Sequence, residues 1–189
     1  NDQLFAEGTD NSDDILDGGT GNDYMVGGLG SDTYYVDSAG DTIVESGADA
    51  GDRVFSSISV DLQMLGGGAI EHALLLGASA INATGNSLAN TLTGNDGANI
   101  LDGAGGADIM IGGFGSDKLT GGTGRDTFDF NHLNEAGDTI TDFVLGAGGD
   151  ILNLADLLDD IGYAGADPFT DGILAFTKAG ANTVVSIDA

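Results

Sequence analysis

The sequence predicts an all-β fold, a right-handed parallel β-solenoid with a C-terminal β-rich cap that contains one short helix. The main evidence is a nine-residue pattern, Gly-Gly-x-Gly-x-Asp-x-apolar-x. It is nearly perfect in four units, 18–26, 27–35, 112–120 and 121–129. The same register continues through more degenerate units, 9–17, 36–44, 85–93, 94–102 and 103–111. A fixed period of this kind indicates stacked coils rather than a Gly/Asp-rich disordered linker.

The glycines predict a tight turn at the start of each unit. Glycine tolerates positive φ and close backbone approach, so Gly-Gly-x-Gly can direct several carbonyls toward one point. The predicted turn glycines at the second and fourth positions are Gly19, Gly21, Gly28, Gly30, Gly113, Gly115, Gly122 and Gly124. These residues are candidates to hold a metal ion through their turns.

The sixth position of every unit is Asp or Asn, and the eighth is apolar. The sixth residues are Asp14, Asp23, Asp32, Asp41, Asn90, Asn99, Asp108, Asp117 and Asp126. The eighth residues are Leu16, Met25, Tyr34, Ile43, Leu92, Leu101, Met110, Leu119 and Phe128. The last three residues of a unit therefore predict a short strand with only its middle side chain buried. One unit cannot bury that side chain alone, so stacking must supply the core.

If two units make one coil, turns on the same side belong to alternate units. The predicted pairs are Asp14 with Asp32, Asp23 with Asp41, Asn90 and Asp126 each with Asp108, and Asn99 with Asp117. A further frame, 130–138, predicts Glu135 above Asp117. Because Ca²⁺ takes six to eight oxygen ligands, we expect on the order of five to seven ions, weaker where Asn replaces Asp.

The composition agrees with a chain that needs cations to fold. Its 31 acidic residues face only four basic ones, for a formal charge of −27, and it contains 34 glycines. Charge repulsion and backbone entropy both oppose folding in the absence of calcium. The charge also argues against nucleic acid and anionic membranes as partners. The sequence has no cysteine and no apolar run of transmembrane length.

The remaining segments predict a continuous solenoid and its cap. We expect residues 1–129 to form the solenoid, with repeat blocks 9–44 and 85–129 around a calcium-poor segment, 45–84. That segment contains strand-like stretches at 53–62 and 73–76, and a variant repeat with Asn82 in the Asp position. Residues 130–189 predict the capping region: strands at 138–143 and 150–154, a helix up to Ile161, and a hairpin from 173–177 and 183–187.

These nonamers, the linking stretch 82–95 and the segments 138–143 and 150–158 resemble the C-terminal region of RTX (repeats-in-toxin) exoproteins. The resemblance implies a parallel β-roll, calcium-triggered folding outside the cell, and export by the type I secretion machinery through an uncleaved C-terminal signal. The chain starts at Asn1 without an initiating Met and stops at Ala189 in a predicted strand. We therefore expect a piece of a larger secreted protein with its final signal trimmed or missing.

We expect no catalysis in this chain. His72 and His132 are its only histidines, and no metalloprotease motif or serine elbow surrounds them or Ser79. One alternative is a module that binds an acidic polysaccharide through Arg53, Lys118 and Arg125, if these lie on one face. Another is an ice- or surface-binding adhesin segment, which the scarcity of Gly-Thr-Gly repeats disfavours.

Overall fold

The computed structural model describes residues 1–6, 11–45, 51–132, 137–179 and 182–187. Parallel strands of two to four residues stack into three sheets, and consecutive strands from β2 to β16 alternate between sheets. This architecture confirms the predicted all-β solenoid. Within the described ranges, no helix is long and apolar enough to cross a membrane.

One long sheet runs the length of the solenoid. Its eight strands are β2 (Ile15–Asp17), β4 (Thr33–Val36), β6 (Arg53–Ser56), β8 (His72–Leu75), β10 (Thr91–Thr93), β12 (Ile109–Ile111), β14 (Thr127–Asp129) and β16 (Ile151–Asn153). Each described neighbour pair is parallel, as between β10 and β12, where Leu92 lies opposite Met110. The sheet crosses the middle of the chain without a break.

The intervening strands form two further parallel sheets. The first contains β1 (Gln3–Phe5), β3 (Tyr24–Val26) and β5 (Thr42–Val44). The second contains β7 (Val60–Asp61), β9 (Ala83–Thr84), β11 (Ile100–Asp102), β13 (Lys118–Thr120) and β15 (Thr139–Ile140). In β11 and β13, Leu101 lies opposite Leu119, so partners are again two nonamers apart. Two units therefore make one coil, as predicted.

The core is a stack of the middle side chains of these strands. All nine predicted apolar residues are buried, with at most 5% of any side chain exposed. In the middle segment, Val54, Leu62, Ile70 and Leu75 continue the same core. The stretch predicted as strand-like at 53–62 is split, because a turn after Ser56 sends β6 and β7 into different sheets.

The C-terminal part contains the predicted element types. Strands β15 and β16 pair with β13 and β14, so coil strands extend past residue 129 to Asn153. The helix α1 (Ala155–Asp160) follows and buries Leu157. Strands β17 (Leu174–Ala179) and β18 (Asn182–Ile187) form an antiparallel hairpin.

Candidate metal centre

The turns of the solenoid use backbone conformations that favour glycine. All eight predicted turn glycines have positive φ, for example +92° at Gly122 and +147° at Gly124. Among the described residues, the one non-glycine with positive φ is Ala104, which holds the second position of its unit. These conformations fold each turn tightly enough for successive turns to stack.

Stacking also brings turn backbones into close approach. A Cβ added to Gly124 would lie 1.5 Å from the carbonyl oxygen of Gly106, and one added to Gly30 would lie 2.1 Å from that of Ser12. In both cases the carbonyl belongs to the turn two units earlier. Any side chain at these positions would force the turns apart.

An acidic or amide residue stands directly before each strand of the long sheet. These residues are Asp14, Asp32, Asp52, Glu71, Asn90, Asp108, Asp126 and Asp150. We call this series the acidic ladder. It places hard oxygen atoms in consecutive turns along one edge of the solenoid.

Carboxylate–backbone hydrogen bonds join the turns. The Oδ1 atom of Asp126 accepts a hydrogen bond from the backbone N–H of Asp108 at 2.9 Å, and Oδ1 of Asp108 accepts one from Asn90 at 2.7 Å. The three other predicted pairs are joined in the same way: Asp14 to Asp32, Asp23 to Asp41, and Asn99 to Asp117. The predicted residues thus meet in the predicted register.

The second oxygen of several of these carboxylates is buried without a hydrogen-bond partner. Such Oδ2 atoms occur in Asp23, Asp32, Asp52, Asp108 and Asp117. Leaving a charged acceptor unsatisfied in the interior costs more than about 1–3 kcal/mol. A bound cation would remove that cost, so the donor atoms fit a metal ion.

At the first glycine of a unit, these oxygens approach the backbone more closely than a side chain would allow. A Cβ on Gly103 would lie 2.4 Å from Oδ2 of Asp108 and 2.6 Å from the carbonyl oxygen of Gly121. A Cβ on Gly112 would lie 2.7 Å from Oδ2 of Asp117 and 2.8 Å from Oδ2 of Asp138. Carboxylate and carbonyl oxygens therefore converge on the space that a side chain would fill, and oxygen is the ligand that Ca²⁺ prefers.

Burial changes the acidity of the turn carboxylates. It raises the pKa of Asp108 to about 7, and the nearby charges of Asp126 and Asp102 act in the same direction. Burial likewise raises the pKa of Asp32, Asp117 and Asp126 above its ordinary value. Burial in the turns therefore disfavours the charged form, and a cation bound there would favour it.

Asn-containing turns are closed by their own hydrogen bonds. The Nδ2 group of Asn99 donates to the carbonyl oxygen of Ile81 at 2.6 Å and to Oδ1 of Asn95 at 3.0 Å. Asn90 Nδ2 donates to the carbonyl oxygens of Ile70 and Glu71. An amide N–H thus satisfies oxygens in the interior of these turns. Metal binding by Asn90 and Asn99 stays a prediction, and this geometry favours turns that close without an ion.

Asp41 also has a closed turn. Its Oδ2 accepts hydrogen bonds from the backbone N–H groups of Asp37 and Ser38 at 3.2 and 3.1 Å. Its Oδ1 accepts one from Asp23 at 3.0 Å. Asp41 therefore differs from the orphaned carboxylates, although the sequence gives it the same position.

Three acidic turn residues lie outside the nonamer pattern because their spacing is longer. Asp52, Asp138 and Asp150 accept hydrogen bonds from the backbone N–H groups of residues 20, 21 and 24 positions earlier. Asp138 holds the position above Asp117 that was predicted for Glu135, so that frame is wrong by three residues; Glu135 itself lies outside the described residues. An acidic residue directly before a short apolar strand was the signal that could have found them.

The three basic residues proposed for polysaccharide binding do not share a face. Arg53 is exposed on β6 of the long sheet, whereas Lys118 is exposed on β13 of another sheet. Arg125 lies in a turn and donates from Nε to the carbonyl oxygen of Gly149 at 3.1 Å. This arrangement gives no cationic patch for that alternative.

Fold and turn chemistry together define a class, the parallel β-solenoid with two nonapeptide units to a coil and oxygen donors in its turns. The family model described as the RTX calcium-binding nonapeptide repeat (4 copies) matches residues 8–43, 84–119 and 111–129. The chain accordingly contains an RTX calcium-binding domain, a β-roll. No curated protein and no solved structure matches the chain significantly.

Proposed function

We propose that this chain is the calcium-dependent folding module of a larger secreted protein, exported by a type I secretion system and folded outside the cell. The observation that carries the proposal is the set of buried Oδ2 atoms without hydrogen-bond partners in consecutive turns. The role is structural rather than catalytic, because the carboxylates of the ladder serve turn-to-turn contacts.

The charge of the chain supports a switch controlled by calcium concentration. At −27 over 189 residues, the unfolded chain repels itself and remains extended where calcium is scarce. Bound Ca²⁺ supplies positive charge to the turn oxygens. The turn glycines then hold the carbonyls in place. The Oδ1 atoms of residues such as Asp108 and Asp126 fix the backbone of the turn two units earlier. Binding free energy becomes folding free energy.

Folding in this way suits a protein that is exported unfolded. Extracellular modules bind calcium at roughly 0.1–1 mM, so the turns would stay empty in a calcium-poor cytosol. The parallel strands pair across whole coils, and each coil buries its apolar residue only against its neighbours. We expect the transition to be cooperative for that reason.

The test is far-UV circular dichroism of the calcium-depleted chain during calcium titration, with magnesium as the control. We expect a steep gain of β-signal near millimolar calcium and little change with magnesium, because Mg²⁺ demands stricter octahedral geometry. A β-rich spectrum that is the same with and without chelator would overturn the folding switch. Native mass spectrometry of the folded chain would count the bound ions.

The export role needs a separate test. A passenger protein would be fused to the chain followed by a type I secretion signal, and in a control to that signal alone, and each fusion would be expressed with an active exporter. More folded passenger secreted with the chain than with the signal alone supports the proposal, and equal amounts contradict the export part alone.

A further inference from the structure

Glu45 stands where most turns have glycine. In the units that begin with Gly18, Gly27, Gly85, Gly94, Gly103, Gly112 and Gly121, an added Cβ would come within 2.1–2.7 Å of a side-chain oxygen of the sixth residue. A side chain at the first position therefore points at the metal-binding part of its turn. Glu45 follows β5 as Gly27 follows β3, so it occupies this first position in the next coil.

The Glu45 carboxylate joins two ladder residues. One oxygen each from Asp32, Glu45 and Asp52 lies within 4.8 Å of the other two. Asp32 and Asp52 are fully buried, and the Oδ2 atom of each has no hydrogen-bond partner. A Cβ on Gly27 would lie 2.1 Å from Oδ2 of Asp32 and 2.8 Å from Oε2 of Glu45, so both oxygens face the same space.

Tyr34 orients the third carboxylate. Its buried hydroxyl donates a hydrogen bond to Oε2 of Glu45. Burial and the Glu45 carboxylate raise the pKa of Tyr34 well above its ordinary value, so the phenol keeps its proton and acts as a donor. The Glu45 side chain is thereby held toward Asp32 instead of extending into solvent.

We propose that Asp32, Glu45 and Asp52 form a calcium site in which Asp32 is a sixth-position residue and the other two ligands lie outside the nonapeptide pattern. Three carboxylates this close repel one another strongly unless a cation lies between them. An all-oxygen set with three negative charges suits Ca²⁺, which tolerates irregular coordination better than Mg²⁺ does. Two of the three ligands, Glu45 and Asp52, lie beyond the first matched repeat block, which ends at residue 43.

The site would fasten the first repeat block to the middle segment. Asp32 and Asp52 precede the adjacent strands β4 and β6, and the spacing here lengthens from 18 to 20 residues. Glu45 comes from the neighbouring sheet through β5. An ion held by all three residues would link both sheets at the place where the nonamer period is lost.

The first experiment counts calcium ions in Glu45→Gln by native mass spectrometry and calorimetry. Gln still accepts the hydrogen bond from Tyr34, but one negative charge is removed. The matched control is Asp37→Asn, an exposed residue of the same block. We expect about one ion fewer in Glu45→Gln than in wild type and in the control. An unchanged ion count in Glu45→Gln overturns this site.

Terbium provides a second measurement that does not depend on Glu45→Gln folding. Tb³⁺ replaces Ca²⁺ at oxygen sites and emits when excited through a nearby tyrosine. Tyr34→Phe should reduce this emission several-fold more than Tyr163→Phe, because Tyr34 contacts Glu45. Equal emission from the two variants counts against the site. Wild type that binds no calcium would instead refute the proposed folding function.

Discussion

Asp126 and Asp108 lie one coil apart, and Oδ1 of Asp126 accepts the backbone N–H of Asp108 at 2.9 Å. Their carboxylates also interact, since the charge of Asp126 contributes to the raised pKa of Asp108. The same relation recurs in successive turns. In Asp32, Asp52 and Asp108 the carboxylate therefore has two roles, because Oδ1 fixes a neighbouring backbone and Oδ2 is available to a cation.

This relation predicts energetic coupling between Asp108 and Asp126. Either substitution to Ala should raise the calcium concentration at the folding midpoint. Each also leaves a buried backbone N–H unpaired, that of Asn90 in Asp108→Ala and that of Asp108 in Asp126→Ala, at about 1–3 kcal/mol. Because both residues serve one site, the double variant should lose less free energy of unfolding than the two single losses combined. Calcium-dependent denaturation of the four proteins measures this, with exposed Asp96→Ala as the control. Fully additive losses would contradict the pairing.

For Asn99→Asp we predict the opposite effect, a gain of calcium dependence in the stability of the chain. Asn99→Asp replaces an amide that donates to Ile81 and Asn95 with a carboxylate that repels those oxygens. Without calcium, the variant should be destabilised by about 1–3 kcal/mol. With calcium, an added ion should restore much of the stability, because its turn then resembles the turn of Asp117. Denaturation with and without calcium checks this; an equal loss in both conditions would show that no ion is gained.

The period of nine made much of this structure predictable from the sequence. Eight of the nine sixth-position residues, from Asp23 to Asp126, are buried, and all nine eighth-position residues lie in the core. Both follow from local rules, namely the glycine turn and the alternation of a short strand. The pairing of strands between coils could then be predicted by counting residues, because identical units stack at a constant spacing.

The coils with longer loops could not be predicted by counting. The spacing from Asp117 to Asp138 is 21 residues, against 18 from Asn99 to Asp117, and this misplaced the predicted ligand at Glu135. A solvent-exposed loop can lengthen without disturbing the core, so its length is not fixed by the apolar pattern. Glu45 was missed for a related reason, since it breaks the glycine rule that defined the repeats.

Protonation of the buried carboxyl groups should stabilise the folded chain in part when calcium is absent. Burial raises the pKa of both Asp52 and Asp108 from the ordinary value of 3.8 to about 7 in the folded chain. A carboxyl group with a raised pKa binds its proton more tightly in the folded state, so this contribution is complete below about 3.8 and lost as the pH rises through about 7. We therefore expect the calcium-depleted chain to show more β-structure at pH 5 than at pH 8.

A pH titration of the calcium-depleted chain by circular dichroism tests this dependence. The control is Asp108→Asn, which is uncharged throughout and should weaken the pH dependence. A loss of β-structure when the pH is lowered from 8 to 5 would contradict the prediction, since protonation would then favour the unfolded state.

Gly124 provides a test of turn stacking that involves no charge. Gly124→Ala would place a Cβ 1.5 Å from the carbonyl oxygen of Gly106, at a φ of +147°. The turns must separate to accept it, and we expect a loss of about 3 kcal/mol or more in the free energy of unfolding with calcium present.

Gly19→Ala is the matched control, because its φ is also positive, at +66°, but no atom lies within 4 Å of the new Cβ. It should cost only about 1–2 kcal/mol. Equal losses in the two variants would mean that strain at positive φ, and not the contact between stacked turns, explains the glycine at this position.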